Sequence, residues 1–139
     1  YLMNHSGKAA DWTLADPNSN MIAVLANAAS GAFGRLYPLA APYLGLLAGV
    51  VSGSEASAIA MLTPLHLSTA EKIGAVGLLV AAVSGIGGGL ASVISPAKLQ
   101  NAAAAIGKIG EESSVLRVTF VISLVITAVA AGMAMLWAF

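Results

Sequence analysis

Apolar residues run along this chain in blocks too continuous for a surface helix, broken at a few polar, glycine-containing points. The first block begins at Met21 and reaches Phe33. Gly34 and Arg35 interrupt it, and apolar residues resume through Tyr37, Pro38, Pro42 and Tyr43 to Val51. At 1.5 Å per residue each part reaches about 20 Å, short of a hydrocarbon core of roughly 30 Å. The pattern fits either a helical hairpin that re-enters near Arg35 or a short span followed by a second helix beginning after the prolines. The second is preferred, because Arg35 beside a tyrosine suits an interface and Pro38 suits a helix start.

The second helix then meets Ser52, Gly53, Ser54, Glu55, Ala56 and Ser57 and resumes through Met61 to Leu67, so a discontinuous helix is expected, with Pro64 weakening its end. Ser68, Thr69, Ala70 and Glu71 have capping-box spacing, which predicts a new helix from Thr69. Its apolar run is interrupted at Ser84, Gly85, Ile86, Gly87, Gly88 and Gly89, read as a second break, and resumes to Ile94. Ser95 and Pro96 then supply a cap and a first-turn proline for a helix over residues 97–109. A loop holding Lys108, Gly110, Glu111 and Glu112 leads to residues 115–139, uncharged after Arg117 and long enough to span a bilayer with tilt, with Trp137 at the far interface. Ahead of all these, residues 8–20 read as a polar connection with Asp11, Asp16, Pro17 and an interfacial Trp12.

Composition turns this pattern into a class. With 58% hydrophobic and 9% charged residues in 139, the chain lies outside soluble usage and is expected to be an all-α, polytopic transmembrane protein whose solvent is the lipid bilayer. There is room for four or five passes of about 20 residues. Residues 1–7 look like the tail of a helix already under way, so residues 1–139 are expected to form a single transmembrane domain, the C-terminal portion of a larger membrane protein with its N-terminal half upstream. Cysteine is absent and His5 and His66 lie far apart, so no metal site or cofactor is expected; both histidines read as membrane-edge residues. Zero net charge without a basic run removes nucleic acid as a partner. No nucleophile with a base and no phosphate loop beside a strand is present, which sets enzymes aside.

Chemistry concentrates at the breaks. An ionised side chain at mid-helix in hydrocarbon costs roughly 2.5–3.5 kcal/mol, so an acid such as Glu55 usually faces a polar cavity on an ion or substrate path. Half-helices starting after Ser54 and after Ser95 would each point unpaired N–H groups and partial positive charge at a carboxylate. The hydroxyls of Ser52, Ser54, Ser57, Ser84 and Ser95, with backbone at Gly53 and Gly85, complete the expected substrate site. The plainer alternatives are that the glycine run is a packing device, that Glu55 is a solvated acid at a helix mouth, and that Lys98 lines a vestibule.

These features resemble the lactate permease family across nearly the whole chain. His5, Ser6 and Gly7 are similar to the family's aromatic-Ser-Gly before a loop. Tyr43, Leu44 and Gly45 through Ser57 resemble its Gly-Ser-acid/amide-Thr-Ser break. Ile94, Ser95 and Pro96, then Gly107, then Gly110, Glu111, Glu112 and Ser113 with Arg117 resemble its Ile-Ser-Pro and Gly-Lys-Glu-Ser blocks. Departures are Glu55 for Asp or Asn, Ala56 for threonine, Val83, Ser84, Gly85 and Ile86 where Asn-Thr precedes paired glycines, Ser92 and Val93 for the lysine before Ile-Ser-Pro, and Ala97 and Lys98 for Gln and Ser.

The resemblance implies an ion-transporter-like fold of inverted repeats with hairpin tips at the substrate. It also implies secondary transport of short 2-hydroxy monocarboxylates, lactate and glycolate, with a proton, across the cell membrane by a multi-pass protein. Glu55 is the expected proton carrier, since a carboxylate removed from water or faced by a substrate carboxylate favours its neutral form. Two alternatives stay open: a sodium-coupled or exchange carrier of other small organic anions, and a non-transporting subunit or truncated remnant.

Overall fold

A computed structural model of the protein describes Ser6 and residues 20–139, and the expectations placed on residues 1–5 and 7–19, including His5 and Trp12, lie outside the described residues. All the regular structure among the described residues is helical. Helix α1 (Met21–Phe33) starts where the apolar block starts: Asn20 Oδ1 accepts from the N–H groups of Ile22 and Ala23, and Ser6 Oγ accepts from Met21 N at 2.8 Å. A 3₁₀ turn (Gly34–Leu36) leads into α2 (Tyr37–Ser52), with Pro38 in its first turn, where a missing N–H costs nothing. A second helix does follow, but it starts ahead of the prolines rather than after them, with Pro42 inside it; α1 packs mainly on the next helix, α3 (Glu55–Ile73), rather than along α2.

The residues between α2 and α3 reverse the chain. Tyr37 Oη and His66 Nδ1 are 2.8 Å apart, whereas collinear helices of this length would separate them by roughly 40 Å at 1.5 Å per residue. The expected discontinuous helix is therefore a helical hairpin, with Gly53 in the left-handed region (φ 65°) and Ser54 extended. The physical reason is Gly53 itself, which takes the positive φ that other residues resist and aims the next helix back.

Two further expectations are corrected in α3. Pro64 lies inside it, and the capping-box sequence at residues 68–71 starts no helix. Thr69 instead turns its Oγ1 back to donate to Leu65 O at 2.8 Å, the local bond open to a hydroxyl in mid-helix. Burial of Leu65, His66, Thr69 and Ala70 holds this stretch helical, and Gly74 (φ 72°) closes it, with Ala75 N donating to Ala70 O.

Helix α4 (Gly77–Leu90) is continuous through Ser84 and the glycine run, so the second break does not lie there. The glycines are an interface. Gly45 and Gly49 of α2 face Ser84, Gly88 and Ala91, and a β-carbon on Gly87 would collide with the carbonyl of Pro42. Small residues four apart on both helices let the backbones touch, the device by which helices associate in lipid. The true interruption comes later: a 3₁₀ turn (Ala91–Val93), Ile94 and the extended Ser95 precede α5 (Pro96–Ala105).

Helix α6 (Glu112–Trp137) returns antiparallel to α4, its Ala138 C=O accepting from Val76 N at 2.9 Å. Register follows from side chains: α2 and α4 run parallel, Gly45 at Ser84 and Gly49 at Gly88, while α3 opposes α4, Glu55 at Gly89 and Leu67 at Gly77. One apolar cluster joins Tyr37, Ala41, Ala70, Val80, Val83 and Ala134; a second joins Leu46, Ala91 and Ile94 to Leu116 and Leu124. Among the described residues two stretches are long and apolar enough to cross a membrane, Gly77–Ala105 and Glu112–Trp137. Val118, Val121, Ile122, Val125, Val129 and Leu136 of α6 are exposed, an apolar face suited to lipid.

Candidate functional site

The hairpin tip between α2 and α3 and the interruption between α4 and α5 meet at one end of the bundle. A β-carbon on Gly53 would stand 3.6 Å from Ser95 Oγ, and Ser95 is buried there. Glu55 lies over α4: its carboxylate oxygens are 3.3 and 3.5 Å from the β-carbon position of Gly89. The tip is held by its own serines. Ser52 Oγ donates to Ser54 O at 2.9 Å and accepts from Ser54 N at 3.3 Å, and Ser54 Oγ accepts from Ser57 N at 3.3 Å.

The same end gathers helix N-termini. α3 begins at Glu55, α5 at Pro96 and α6 at Glu112, and contacts of Leu116 with the Ile94 cluster bring the last to this end. First-turn N–H groups have no intrahelical acceptor, and each N-terminus carries about half a positive charge, so the end attracts anions. Glu55 and Glu112 sit in those first turns and meet part of that potential. Lys98 folds back to donate to Ser92 Oγ at 2.8 Å, closing the α4–α5 interruption. Among the described residues no group of His, Asp or Glu is arranged to hold a metal ion.

Of the residues singled out from sequence, the structure brings Ser52, Gly53, Ser54, Glu55, Ser57 and Ser95 to this end. It puts Ser84 and Gly85 elsewhere, because α4 carries them, unbroken, about ten residues or 15 Å from Ser95. Gly85 packs on Ile59. Ser84 is buried, with Oγ 2.7 Å from Nε2 of His66.

That last contact exposes what the sequence reading missed. His66, expected at a membrane edge, is 1% exposed and bridges Tyr37 of α2 to Ser84 of α4. The signal available was helical spacing: Glu55, Ile59 and His66 fall at positions i, i+4 and i+11, one face of a helix with 3.6 residues per turn. A groove of about 500 Å³ along α3 and α4 has Glu55, Thr63 and Gly85 in its wall. A larger one, about 630 Å³, lies between α2 and α6, is lined mainly by apolar side chains such as Leu46 and Phe120, and has Arg117 and Ser113 in its wall.

The family described as L-lactate permease matches residues 1–139. The L-lactate permease of Escherichia coli (strain K12) is 34% identical over 96 residues, 69% of this chain and 17% of that protein. The L-lactate permease of Salmonella typhimurium is 34% identical over 94 residues, 68% of this chain and 17% of its own length. The glycolate permease GlcA of Escherichia coli (strain K12) is 34% identical over 111 residues, 80% of this chain and 20% of that protein. The chain spans about a fifth of the length of the curated relatives it matches. No solved structure matches it.

Proposed function

Because the chain belongs to the L-lactate permease family, we propose that it is part of a secondary carrier that moves short 2-hydroxy monocarboxylates, lactate and glycolate, with a proton. On this reading it is the C-terminal portion of a multi-pass protein of the cell membrane, completed by an N-terminal half. The observation that carries it is the apposition of Gly53 and Ser95, which brings the starts of α3 and α5 to one place. Two helix N-termini there supply N–H donors and positive potential for a carboxylate without an arginine or lysine clamp. The hydroxyls of Ser57 and Ser95 are then available to the 2-hydroxy group, while Ser52 and Ser54 keep the tip in shape. Glu55 beside them carries the coupled proton: the substrate anion favours the neutral acid, and the neutral acid favours the anion.

Uptake of labelled lactate and glycolate into proteoliposomes of the full-length carrier tests this. Accumulation under a proton gradient with sodium absent is expected. Accumulation only with a sodium gradient would replace the proton with Na⁺, and no uptake under either gradient would leave a non-transporting subunit.

A further inference from the structure

Among the described residues, His66 sits in an interior otherwise free of charge. Helices α1, α2 and α4 contain no charged residue, α6 contains none after Arg117, and the charges of α3 itself are Glu55, Glu71 and Lys72. Lys72 is turned to Asn27 Oδ1 of α1 at 2.7 Å. The groups that face the ring are Tyr37 from α2 and Ser84 from α4, with the Tyr37 ring 5.7 Å from it centroid to centroid. Both ring nitrogens are thus engaged, and both partners are hydroxyls.

That pairing is informative. A hydroxyl can donate or accept, so the network has a satisfied form for each state of the ring. With a neutral ring, one nitrogen accepts from a hydroxyl and the other donates. With a protonated ring both nitrogens donate, and the hydroxyl that had donated must turn its hydrogen elsewhere. Carbonyl partners on both nitrogens would permit the protonated ring alone.

We propose that His66, held between Tyr37 and Ser84, is a second proton-carrying residue of the carrier, in series with Glu55 at the hairpin tip. The two lie eleven residues apart on one face of α3, about 16 Å at 1.5 Å per residue, and both contact α4. The groove along that face begins at Glu55 and reaches Thr63, one turn before His66. The step balances simply. A ring nitrogen lone pair forms an N–H bond with a proton given up by a hydronium ion, whose O–H bond breaks with its electron pair left on oxygen as water, and release reverses both.

The inference rests on the transport reading above, and its test separates the two. Full-length carrier, His66→Gln and Tyr37→Phe are compared in proteoliposomes for lactate counterflow without a gradient and for accumulation under an imposed proton gradient. The parent is expected to accumulate about tenfold per pH unit at one proton per substrate. His66→Gln keeps an amide that can bond both hydroxyls, and is expected to retain counterflow and lose accumulation. A His66→Gln carrier that accumulates like the parent overturns the assignment and leaves the transport reading intact; a parent that neither exchanges nor accumulates overturns both. Should His66→Gln fail to fold, Tyr37→Phe decides. It keeps the ring packing, and full accumulation in it overturns the proposal, while counterflow without accumulation supports it.

Discussion

Gly53 turns the chain with φ 65° against the buried hydroxyl of Ser95, so that a β-carbon on Gly53 would meet Ser95 Oγ at 3.6 Å. Alanine therefore fits the space but not the backbone, and its expected cost is the roughly 1–2 kcal/mol of a left-handed residue with a side chain. Valine adds a branch at a positive φ and methyl groups against Ser95. The thermal unfolding midpoint in detergent should fall from Gly53 to alanine to valine, and a valine variant as stable as the parent would show that the tip does not adopt this turn.

The α2–α4 contact makes a sharper claim, because three glycines look alike in sequence and differ in space. β-Carbons on Gly45 or Gly87 would run into the carbonyls of Ser84 and Pro42, whereas one on Gly31 of α1 meets nothing within 4 Å. Overpacking of a tight contact costs about 1–3 kcal/mol, and replacing an exposed helical glycine by alanine gains up to about 1 kcal/mol. Gly45→Ala and Gly87→Ala should lower the unfolding midpoint and Gly31→Ala should not. Equal effects at all three would mean the helices do not approach this closely.

How much of this was legible in the sequence depends on which force set each element. Apolar blocks gave the start of α1 and the extent of α6 closely, and Pro96 gave the start of α5, because these signals act within a turn of their own position; Ser95 precedes α5 as expected but makes no side-chain capping bond. The break at Gly53 was legible as a break and illegible as a reversal, since direction depends on what α3 packs against. The glycine run misled for the opposite reason: as a local signal it argues against helix, yet the absent β-carbons are what let α4 lie on α2. Likewise Thr69 has the sequence of a cap and the surroundings of a buried helix interior. Of the residues gathered at the hairpin end, Ser52, Ser54, Glu55, Ser57 and Ser95 could be named because polar residues stand out in an apolar chain, and Gly53 as the glycine among them. His66 was named and misplaced, since its partners Tyr37 and Ser84 are distant in sequence and only the fold unites them.

Ser54 separates shape from chemistry at the tip. Its Oγ caps α3 by accepting from Ser57 N, and removing such a cap costs typically about 1 kcal/mol. Ser54→Ala should lower stability by that order and weaken uptake. Ser54→Asp caps at least as well and places a negative charge where the carboxylate is proposed to sit, so it should restore the unfolding midpoint while raising the KM for lactate. Aspartate that restores both would move the substrate away from this turn.

Glu55 stands at the first turn of α3 against Gly89, a place where an acid serves either the helix dipole or the coupled proton. Glutamine distinguishes them. A dipole partner lost from an exposed helix start costs about 0.3–1 kcal/mol and leaves coupling alone. A lost proton carrier adds to that modest cost the loss of accumulation under a pH gradient, while lactate exchange is kept. Glu55→Gln is expected to give the second pattern, and full accumulation by that variant removes Glu55 from the mechanism.

Ser123 and Thr127 of α6 are fully buried, one turn apart, and among the described residues neither hydroxyl has a hydrogen-bond partner. An unpartnered buried hydroxyl costs on the order of 1–3 kcal/mol, so the fold carries both at a loss. Replacement by shapes without the hydroxyl removes that cost. Ser123→Ala leaves a small gap and Thr127→Val none, so Thr127→Val should raise the unfolding midpoint of the carrier and Ser123→Ala should hold or raise it. A midpoint lowered by either substitution would show that the hydroxyl is bonded in the carrier, to water, to substrate or to another part of the protein. Measuring the same variants with and without lactate then assigns the partner, since only a hydroxyl that meets the substrate loses the stabilisation that bound ligand confers.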